Sequence, residues 1–490
     1  MKLKLIIAVF FLSSFIISCK TEKVETQKKT FQKPNVVFIA IDDLNDYVSI
    51  MKGAIKVPTP NIDKLAKQGT LFTNAHCQAP ICGPSRASLM TGLYPSTSGN
   101  YLQLKDLDIK KGNKAVKEAV FMPDYFEYFG YKTMAVGKIY HEGDAAKTFD
   151  QYGGKFAWMG PKPKERFAYD PSKIEHKKGA TQTDWGAYPA QDSLMTDYQS
   201  AKWAVNKLQS KQEKPFFLAV GFVRPHVPWY APQKWFDKFP LDSIKTPPYK
   251  KDDFNDISAF AQRVSNAPMM PTTEELIKSG EWKKAVQAYM ACIAFVDAQV
   301  GKVLDALENS EYAANTIVVL WADHGYHIGE KNRFAKQALW ERDTRTLLVF
   351  KDIKENKVKI SDAPVQLLDI YPTLIDLCDL PKQEQLEGKS LKTLIDDPDE
   401  EWNYPAISFY GKDNVAIRNE QYRLIKYEDN SLELYDMLND PNEWYNLALD
   451  KKYASVIEDL KQHIPKNQAP LSKFSKYNFN EYFRSKTTFN

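Results

Sequence analysis

Histidine and cysteine are scarce in this chain: seven histidines and five cysteines in 490 residues. Cys19, Cys77, Cys82, Cys292 and Cys378 form no disulfide framework, and no Cys-x-x-Cys pair suggests a zinc site. There is no repeat of solenoid period and no heptad run, which excludes repeat arrays and long coiled coils. Nor is there a large excess of one charge. The formal charge is +4, of which Lys2 and Lys4 supply +2. The stretch "KTEKVETQKKTFQKP" carries five Lys and two Glu, a further +3, which leaves the rest of the chain at −1. Such a body has no global basic field, so nucleic acid is not expected as a partner and any anion site must be a local pocket. A hydrophobic content of 43% and a charged content of 26% are ordinary for a globular protein. The length allows one large domain and a smaller one.

The most apolar run lies at the start. "LIIAVFFLSSFIIS" follows Lys2 and Lys4. It is short for a membrane span and reads as a signal segment over residues 1–18. It ends in "IISC", which resembles a bacterial lipobox and makes Cys19 the lipidated residue; the plainer alternative is a secretory signal with an incidental cysteine. Residues 19–33 then read as a lipidated cysteine and polar tether. Acyl chains there would hold the protein to a membrane. The expected location is the cell envelope of a Gram-negative bacterium, at the outer membrane or the periplasmic face.

Four apolar runs end in polar clusters. "NVVFIAIDDL" ends in Asp42 and Asp43, and "YKTMAVGKIYH" in Lys138 and His141. "KPFFLAVGFVRPH" ends in Arg224 and His226, and "NTIVVLWADHGYH" in Asp323, His324 and His327. Short runs rich in β-branched and aromatic residues suit strands buried on both faces, hence a parallel sheet in an α/β domain. Helical patterns such as "NIDKLAKQG" and "AVQAYMACIAFVDAQVGKVLDAL" lie between them. In open α/β sheets ligands bind beyond the carboxyl ends of the strands. Each feature alone has an ordinary explanation: Asp-Asp caps helices, Gly-Lys makes turns, and a single His is usually structural. The clustering is what a scattered origin does not predict, because four of the seven histidines follow the ends of three expected strands.

The stretch "ICGPSRASLMTG" places Cys82 before a segment that can continue as a helix from Pro84. Residue 82 would then sit at a helix N-terminus, where N–H groups and the dipole favour an anion. Arg86, one turn along, has the planar donor fork that suits tetrahedral oxyanions. A buried small hydrophobe, half of a disulfide, a metal thiolate and a nucleophile all remain open for Cys82 on these grounds.

"CGPSR" followed by "LMTG" resembles the type I sulfatase signature, with Met90 where Leu is usual. "TPNIDKLAKQGTLFTNAHCQAPICGPSR", "GYKTMAVGKIYHEGD", "PFFLAVGFVRPHVPW" and "ADHGYHIGEKNRFAKQALWE" are most similar to iduronate-2-sulfatase and its bacterial relatives. "LELYDMLNDPNEWYNLA" is similar to the closing motif of the sulfatase C-terminal subdomain. The resemblance implies an α/β, alkaline-phosphatase-like fold with a large, mainly parallel sheet between helices over residues 34–398. A small C-terminal α+β subdomain follows over 399–490, with antiparallel strands in "NVAIRNEQYRLIKYEDNSLELYD" and a helix in "KYASVIEDLKQHI".

The same resemblance implies a chemistry. A maturation enzyme oxidises the signature cysteine, here Cys82, to formylglycine, whose hydrated gem-diol attacks sulfur with one hydroxyl and expels sulfate by deprotonation of the other. A thiolate would instead be left as a stable S-sulfo adduct. By carry-over, Asp42, Asp43, Asp323 and His324 are the metal ligands, with residue 82 completing the shell. Three carboxylates favour one calcium ion, while His324 adds a nitrogen donor where many sulfatases have Asn. Arg86 and Lys138 hold the diol and the sulfate, His141 is the base, and His226 and Lys336 contact the sulfate and assist the leaving sugar oxygen. Tyr326, His327 and Trp229 are expected around the sugar, and Arg224 and Arg333 near a uronate carboxylate. Cys77 lacks the x-Pro-Ser-Arg context and reads as a buried thiol.

The implied substrate is a sulfated polysaccharide or its oligosaccharides, with a uronic-acid-containing glycan such as ulvan first. Glycosaminoglycan and carrageenan are the alternatives. A phosphate- or phosphonate-ester hydrolase of the same superfamily and a non-catalytic glycan-binding lipoprotein are the rivals.

Overall fold

The computed structural model describes residues 33–487 except 52, 143–147, 157–159, 169–182, 355–356 and 478. The expected signal segment, Cys19 and all of the tether but Lys33 lie outside the described residues. Residues from Lys33 onward pack as one compact unit. Among the described residues no helix is long and apolar enough to cross a membrane.

The runs singled out above are strands. β1 (Asn35–Ile41), β3 (Lys132–Gly137), β6 (Phe216–Phe222) and β8 (Thr316–Ala322) are neighbours in the order β8-β1-β6-β3 and pair in parallel. β2 (Thr70–His76), β9 (Arg345–Lys351), β10 (Lys359–Ser361) and β11 (Val365–Gln366) extend the sheet beyond β8, and β4 (Gln151–Tyr152) ends it beyond β3. Among the described residues, β9 is the strand of this sheet that runs against the others. β1, β6 and β8 are buried along their whole length, which is why they carry no polar alternation.

The pleat splits the core in two. Val37, Ile39 and Ile41 of β1 point to one face, covered by the helices Thr196–Leu208 and Trp282–Glu308. Val36, Phe38 and Ala40 point to the other, covered by Cys82–Thr91 and Ile370–Leu377. A short pair, β5 (Trp185–Ala187) with β7 (Trp229–Ala231), lies apart from this sheet.

At the C-terminal end β12 (Ala406–Phe409), β13 (Val415–Arg418), β14 (Tyr422–Lys426) and β15 (Leu432–Asp436) form an antiparallel meander. Ile457 and Leu460 of the helix Ala454–Lys461 pack in its core. The meander is tied closely to the main body: Phe409 N–H donates to Gln78 O at 2.9 Å and Ser408 Oγ to Cys77 O at 2.5 Å.

Candidate active site

Register brings the polar clusters to one level. Ile41 of β1 lies opposite both Phe222 of β6 and Ala322 of β8, and Gly221 lies opposite Gly137 of β3. The residues that follow, Asp42 and Asp43, Asp323 and His324, Lys138, and Arg224 to His226, therefore leave the sheet side by side. Two glycines permit this. A Cβ on Gly221 would stand 2.2 Å from Lys138 O, and one on Gly137, at φ +75°, would stand 2.0 Å from Gly221 O. Side chains at either position would push the exits of β3 and β6 apart.

Cys82 is the first residue of its helix, after Ile81 in extended conformation. Its Sγ faces the strand ends: Lys336 Nζ is 2.9 Å away, His324 Nε2 3.3 Å and Asp43 Oδ1 3.9 Å. The His141 side chain also hydrogen-bonds the thiol. Arg86, one turn along, reaches back as its spacing suggests, and its donors are spent on protein acceptors. Nε donates to Asp323 Oδ2 at 2.8 Å, Nη1 to the carbonyls of Lys138 at 2.5 Å and Ile139 at 3.0 Å, and Nη2 lies 3.4 Å from Asp42 Oδ1. Lys138 Nζ is paired with Asp42, and Lys336 Nζ with Asp43 Oδ1 at 2.5 Å. His226 Nε2 lies 3.8 Å from Asp43 Oδ2.

Asp43 has φ +61°, uncommon for a non-glycine residue. Asp323 Oδ1 accepts its N–H at 3.1 Å and its carbonyl accepts from Tyr289 Oη at 2.7 Å. The turn that aims two consecutive carboxylates at Cys82 is thus held from both sides.

These groups are almost fully buried, and that decides the electrostatics. Burial opposes ionisation of the Cys82 thiol, yet Lys138, Lys336 and His324, with the His141 hydrogen bond, hold it well below its ordinary value. Burial and the Cys82 charge push Asp42 up, but Lys138, His226 and Arg86 win and keep it ionised. Burial lifts Asp323 against Arg86 and His324, and His324 is raised in turn, against burial, by Asp323 and by Cys82. Position 82 is therefore built to carry negative charge. In this unmodified chain Sγ stands where the oxygens of a formylglycine diol would be.

The donor set fits a cation. Ligand atoms of Asp42, Cys82, Asp323 and His324, and of Asp42, Asp43, Cys82 and His226, all lie within 4.8 Å of one another in each group. Asp43 Oδ2 is buried and accepts no hydrogen bond, which a hard cation would satisfy.

The expected sugar-facing residues are placed differently. Trp229 lies in β7 and is enclosed by Tyr289, Tyr326 and Phe334, with ring centroids at 5.8, 5.9 and 6.3 Å, so it packs edge-on and tilted among core aromatics rather than against a sugar. Tyr326 is also fully buried and donates to Phe334 O at 3.0 Å. The Arg224 guanidinium donates to the carbonyls of Tyr230 and His226, shaping the loop instead of facing outward. His327 Nδ1 is 2.6 Å from Asp343 Oδ1 and borders a separate cavity. Arg333 alone of the five sits on the wall of the cavity nearest Lys336 in sequence. Cys77 is a buried free thiol.

Sequence reasoning missed several supports. Ser85 Oγ donates to Asp323 O at 2.6 Å, Gln103 Oε1 accepts from Gly83 N–H at 3.0 Å, and Asp106 Oδ1 accepts from His141 N–H at 3.1 Å. Ser85 lies inside the quoted signature and was legible there. Tyr289, Gln103 and Asp106 carry no local signal, because their roles depend on contacts with distant segments.

Comparison with known proteins bears on this geometry. The sulfatase family model matches residues 34–380, and a model of the N-sulphoglucosamine sulphohydrolase C-terminal region matches residues 329–470. A sulfatase of Formosa agariphila is 47% identical over 96% of this chain and 94% of its own length. Mouse iduronate 2-sulfatase is 31% identical over 64% of this chain and 58% of its own length. A Formosa agariphila protein named ulvan-active sulfatase is 28% identical over 96% and 88%. Among solved structures, a 2-O GAG sulfatase superposes with TM-score 0.66 at 23% identity over 88% of this chain and 91% of that one. The phosphonate monoester hydrolase of Agrobacterium radiobacter superposes with TM-score 0.68 at 20% identity over 88% and 94%, a likeness of fold alone. With the family matched over most of its length and a near-full-length relative at 47% identity, this chain belongs to the sulfatase family of sulfuric ester hydrolases, on the alkaline-phosphatase-like fold.

Proposed function

We propose that the protein hydrolyses sulfate esters on a uronic-acid-containing glycan such as ulvan, with residue 82 matured to formylglycine and one calcium ion held by Asp42, Asp43, Asp323 and His324. The observation that carries the chemistry is the convergence of those four side chains, from two adjacent strand ends, on the side chain of residue 82. Similarity to an ulvan-active sulfatase and to iduronate 2-sulfatase supports the choice of glycan.

When bound, the formylglycine diol supplies an oxygen nucleophile and the cation polarises the sulfate ester. The protein's own groups do the rest. Arg86 and Lys138 fix the carboxylates from behind, so they arrange the ligands more than they touch the substrate. Lys336 Nζ, 2.9 Å from the residue-82 side chain, stabilises negative charge there. His141, hydrogen-bonded at the same atom, is the group placed to take a proton from residue 82. The His226 side chain is 11% exposed, on the solvent side of Asp43, where it can donate to the departing sugar oxygen.

The test is sulfate release by the matured protein. Defined sulfated oligosaccharides from ulvan, glycosaminoglycan and carrageenan are compared, together with the sulfate and phosphate esters of one aryl alcohol. Release from ulvan fragments above the others is the expected result. Faster phosphate than sulfate turnover rejects the sulfatase chemistry for this chain, and preference for the carrageenan fragments, which lack uronic acid, rejects the uronic-acid substrate.

The proposal includes a formylglycine-generating partner and a lipid anchor at Cys19 in the cell envelope, on the strength of the "IISC" and tether sequences. Acyl chains on residue 19 at the mature N-terminus, read by mass spectrometry of the membrane fraction, are the expected outcome. A mature N-terminus without acyl chains at Cys19 counts against the anchor.

A further inference from the structure

A cavity of about 420 Å³ opens beside the segment that carries Lys336, within the range of about 300–1,000 Å³ usual for small-ligand sites. Ala335 forms part of its wall, and Arg333 Nη2 donates to the carbonyl of Lys336 at 2.6 Å. Three residues of chain reach at most about 10 Å, so Arg333 lies within that span of the Lys336 backbone, whose ammonium is 2.9 Å from Cys82 Sγ.

Its lining is unusual for a body with no net basic field. Arg263, Lys331 and Arg333 face it and no carboxylate does. Lys331 is paired with Asp253 at 3.2 Å and Arg333 Nη2 lies 3.8 Å from Asp343 Oδ2, which leaves Arg263 as the exposed cation beside the space. Arg333 is buried, its Nη1 donates to Ser265 O at 2.9 Å, and its Nε finds no acceptor. A buried guanidinium N–H left without a partner is a donor waiting for one. On the same wall the half-buried Phe254 stacks on the enclosed Trp340 at 5.7 Å and 16°, so Phe254 is the ring that can offer apolar surface to a sugar. Arg263 is exposed at the rim.

We infer that this cavity is a second subsite, which takes an acidic sugar unit next to the one that bears the scissile sulfate and reads its carboxylate or sulfate through Arg333 and Arg263. The inference rests on the glycan reading above and adds where the neighbouring unit sits. It makes the enzyme's preferred substrate a polyanionic oligosaccharide rather than a lone sulfated monosaccharide.

The experiment uses the matured full chain and two rim variants, Arg263→Glu and Gln262→Glu. Both positions are exposed and lie outside the catalytic cluster. Three substrates are compared: an aryl sulfate, a sulfated oligosaccharide with an acidic neighbouring unit, and one with a neutral neighbouring unit. Gln262→Glu changes the charge by one and is expected to raise KM for the acidic oligosaccharide about threefold to fivefold, and Arg263→Glu, which changes it by two, more than that, with kcat held and the other two substrates unchanged. Equal loss on all three substrates, or no loss on the acidic one, overturns the subsite. If the wild type cleaves the aryl sulfate but neither oligosaccharide, the glycan reading and the subsite fall together. If it cleaves both oligosaccharides and the variants do not discriminate, the subsite alone falls.

Discussion

Gly221→Ala tests whether close approach of two strands sets the catalytic geometry. The added Cβ would lie 2.2 Å from Lys138 O, 2.3 Å from its carbonyl carbon and 2.6 Å from its nitrogen. These are backbone atoms, so no side chain can swing aside. Ordinary contact requires the exits of β3 and β6 to separate by about 1 Å, an overpacking that costs about 1–3 kcal/mol. The displaced carbonyl of Lys138 is the acceptor that Arg86 Nη1 holds at 2.5 Å, and the Lys138 ammonium is the partner of Asp42. The strain therefore arrives at both cations that fix the carboxylates around residue 82. A misplacement of about 1 Å in such a site can lower the rate about 100-fold.

The assay pairs sulfate release from an aryl sulfate with urea unfolding. The control is Gly130→Ala, where φ is +84° and nothing lies within 4 Å of the added Cβ. It should cost about 1 kcal/mol through backbone strain alone, with turnover intact. If Gly221→Ala folds and keeps wild-type kcat, the strand exits do not govern the site and the reasoning from register fails.

Cys82→Ala should abolish turnover, with the folded state confirmed by circular dichroism; residual sulfate release above background refutes residue 82 as the nucleophile's source. Tyr477 Oη donates to Gln337 Oε1 at 2.5 Å, and Gln337 follows Lys336 at φ +81°. Tyr477→Phe should cost about 1 kcal/mol and lower kcat several-fold with KM held, as steady-state kinetics on an aryl sulfate will show. Glu341 is buried among Arg418, Arg423 and His76 and is held well below the usual carboxylate range. Glu341→Gln should cost about 3 kcal/mol in urea unfolding, because Arg418 loses its buried counter-charge and Arg423 keeps only Glu443 at 3.4 Å. Burial raises Asp369 to about 7 against the amide donors of Lys389 and Gln366. Its folded value lies above the unfolded one, so its contribution is full below the unfolded value near 4 and is lost as pH rises through about 7. The stability of wild type relative to Asp369→Asn should therefore fall between about pH 4 and pH 8, and a constant difference would contradict the shift.

The central sheet was readable because fully buried parallel strands leave a plain mark, an unbroken β-branched and aromatic run. Each of the four runs ended in polar residues that a core strand has no use for. The pairing order β8-β1-β6-β3 was not readable, since period-two strands buried on both faces carry no side preference to fix their neighbours. Asp42, Asp43, Asp323 and His324 stood out for the same reason, and Cys82 through the "CGPSR" stretch at a helix start. Trp229 and Tyr326 misled because an aromatic next to a catalytic motif looks alike whether it packs inward or outward. What separates the cases is the helix Trp282–Glu308, whose Tyr289 edge meets Trp229 at 5.8 Å, and that contact joins positions far apart in the chain.

The same distinction explains how a body near neutrality can hold a singly charged sulfate ester. Three carboxylates and three fixed cations, Arg86, Lys138 and Lys336, share one buried cluster, so their charges cancel at a distance while remaining separate at contact range. A cation added to that cluster shifts the balance to positive at the one point where residue 82 projects. Removing a single arm has the opposite effect. Asp43→Asn leaves Lys336 without its 2.5 Å partner and takes away an oxygen donor. Calcium should then raise the thermal midpoint of the variant less than that of the wild type, by mass action on a weakened site. An equal calcium shift in both proteins would place the ion somewhere other than the strand ends, and the proposed chemistry at residue 82 would lose its electrostatic basis.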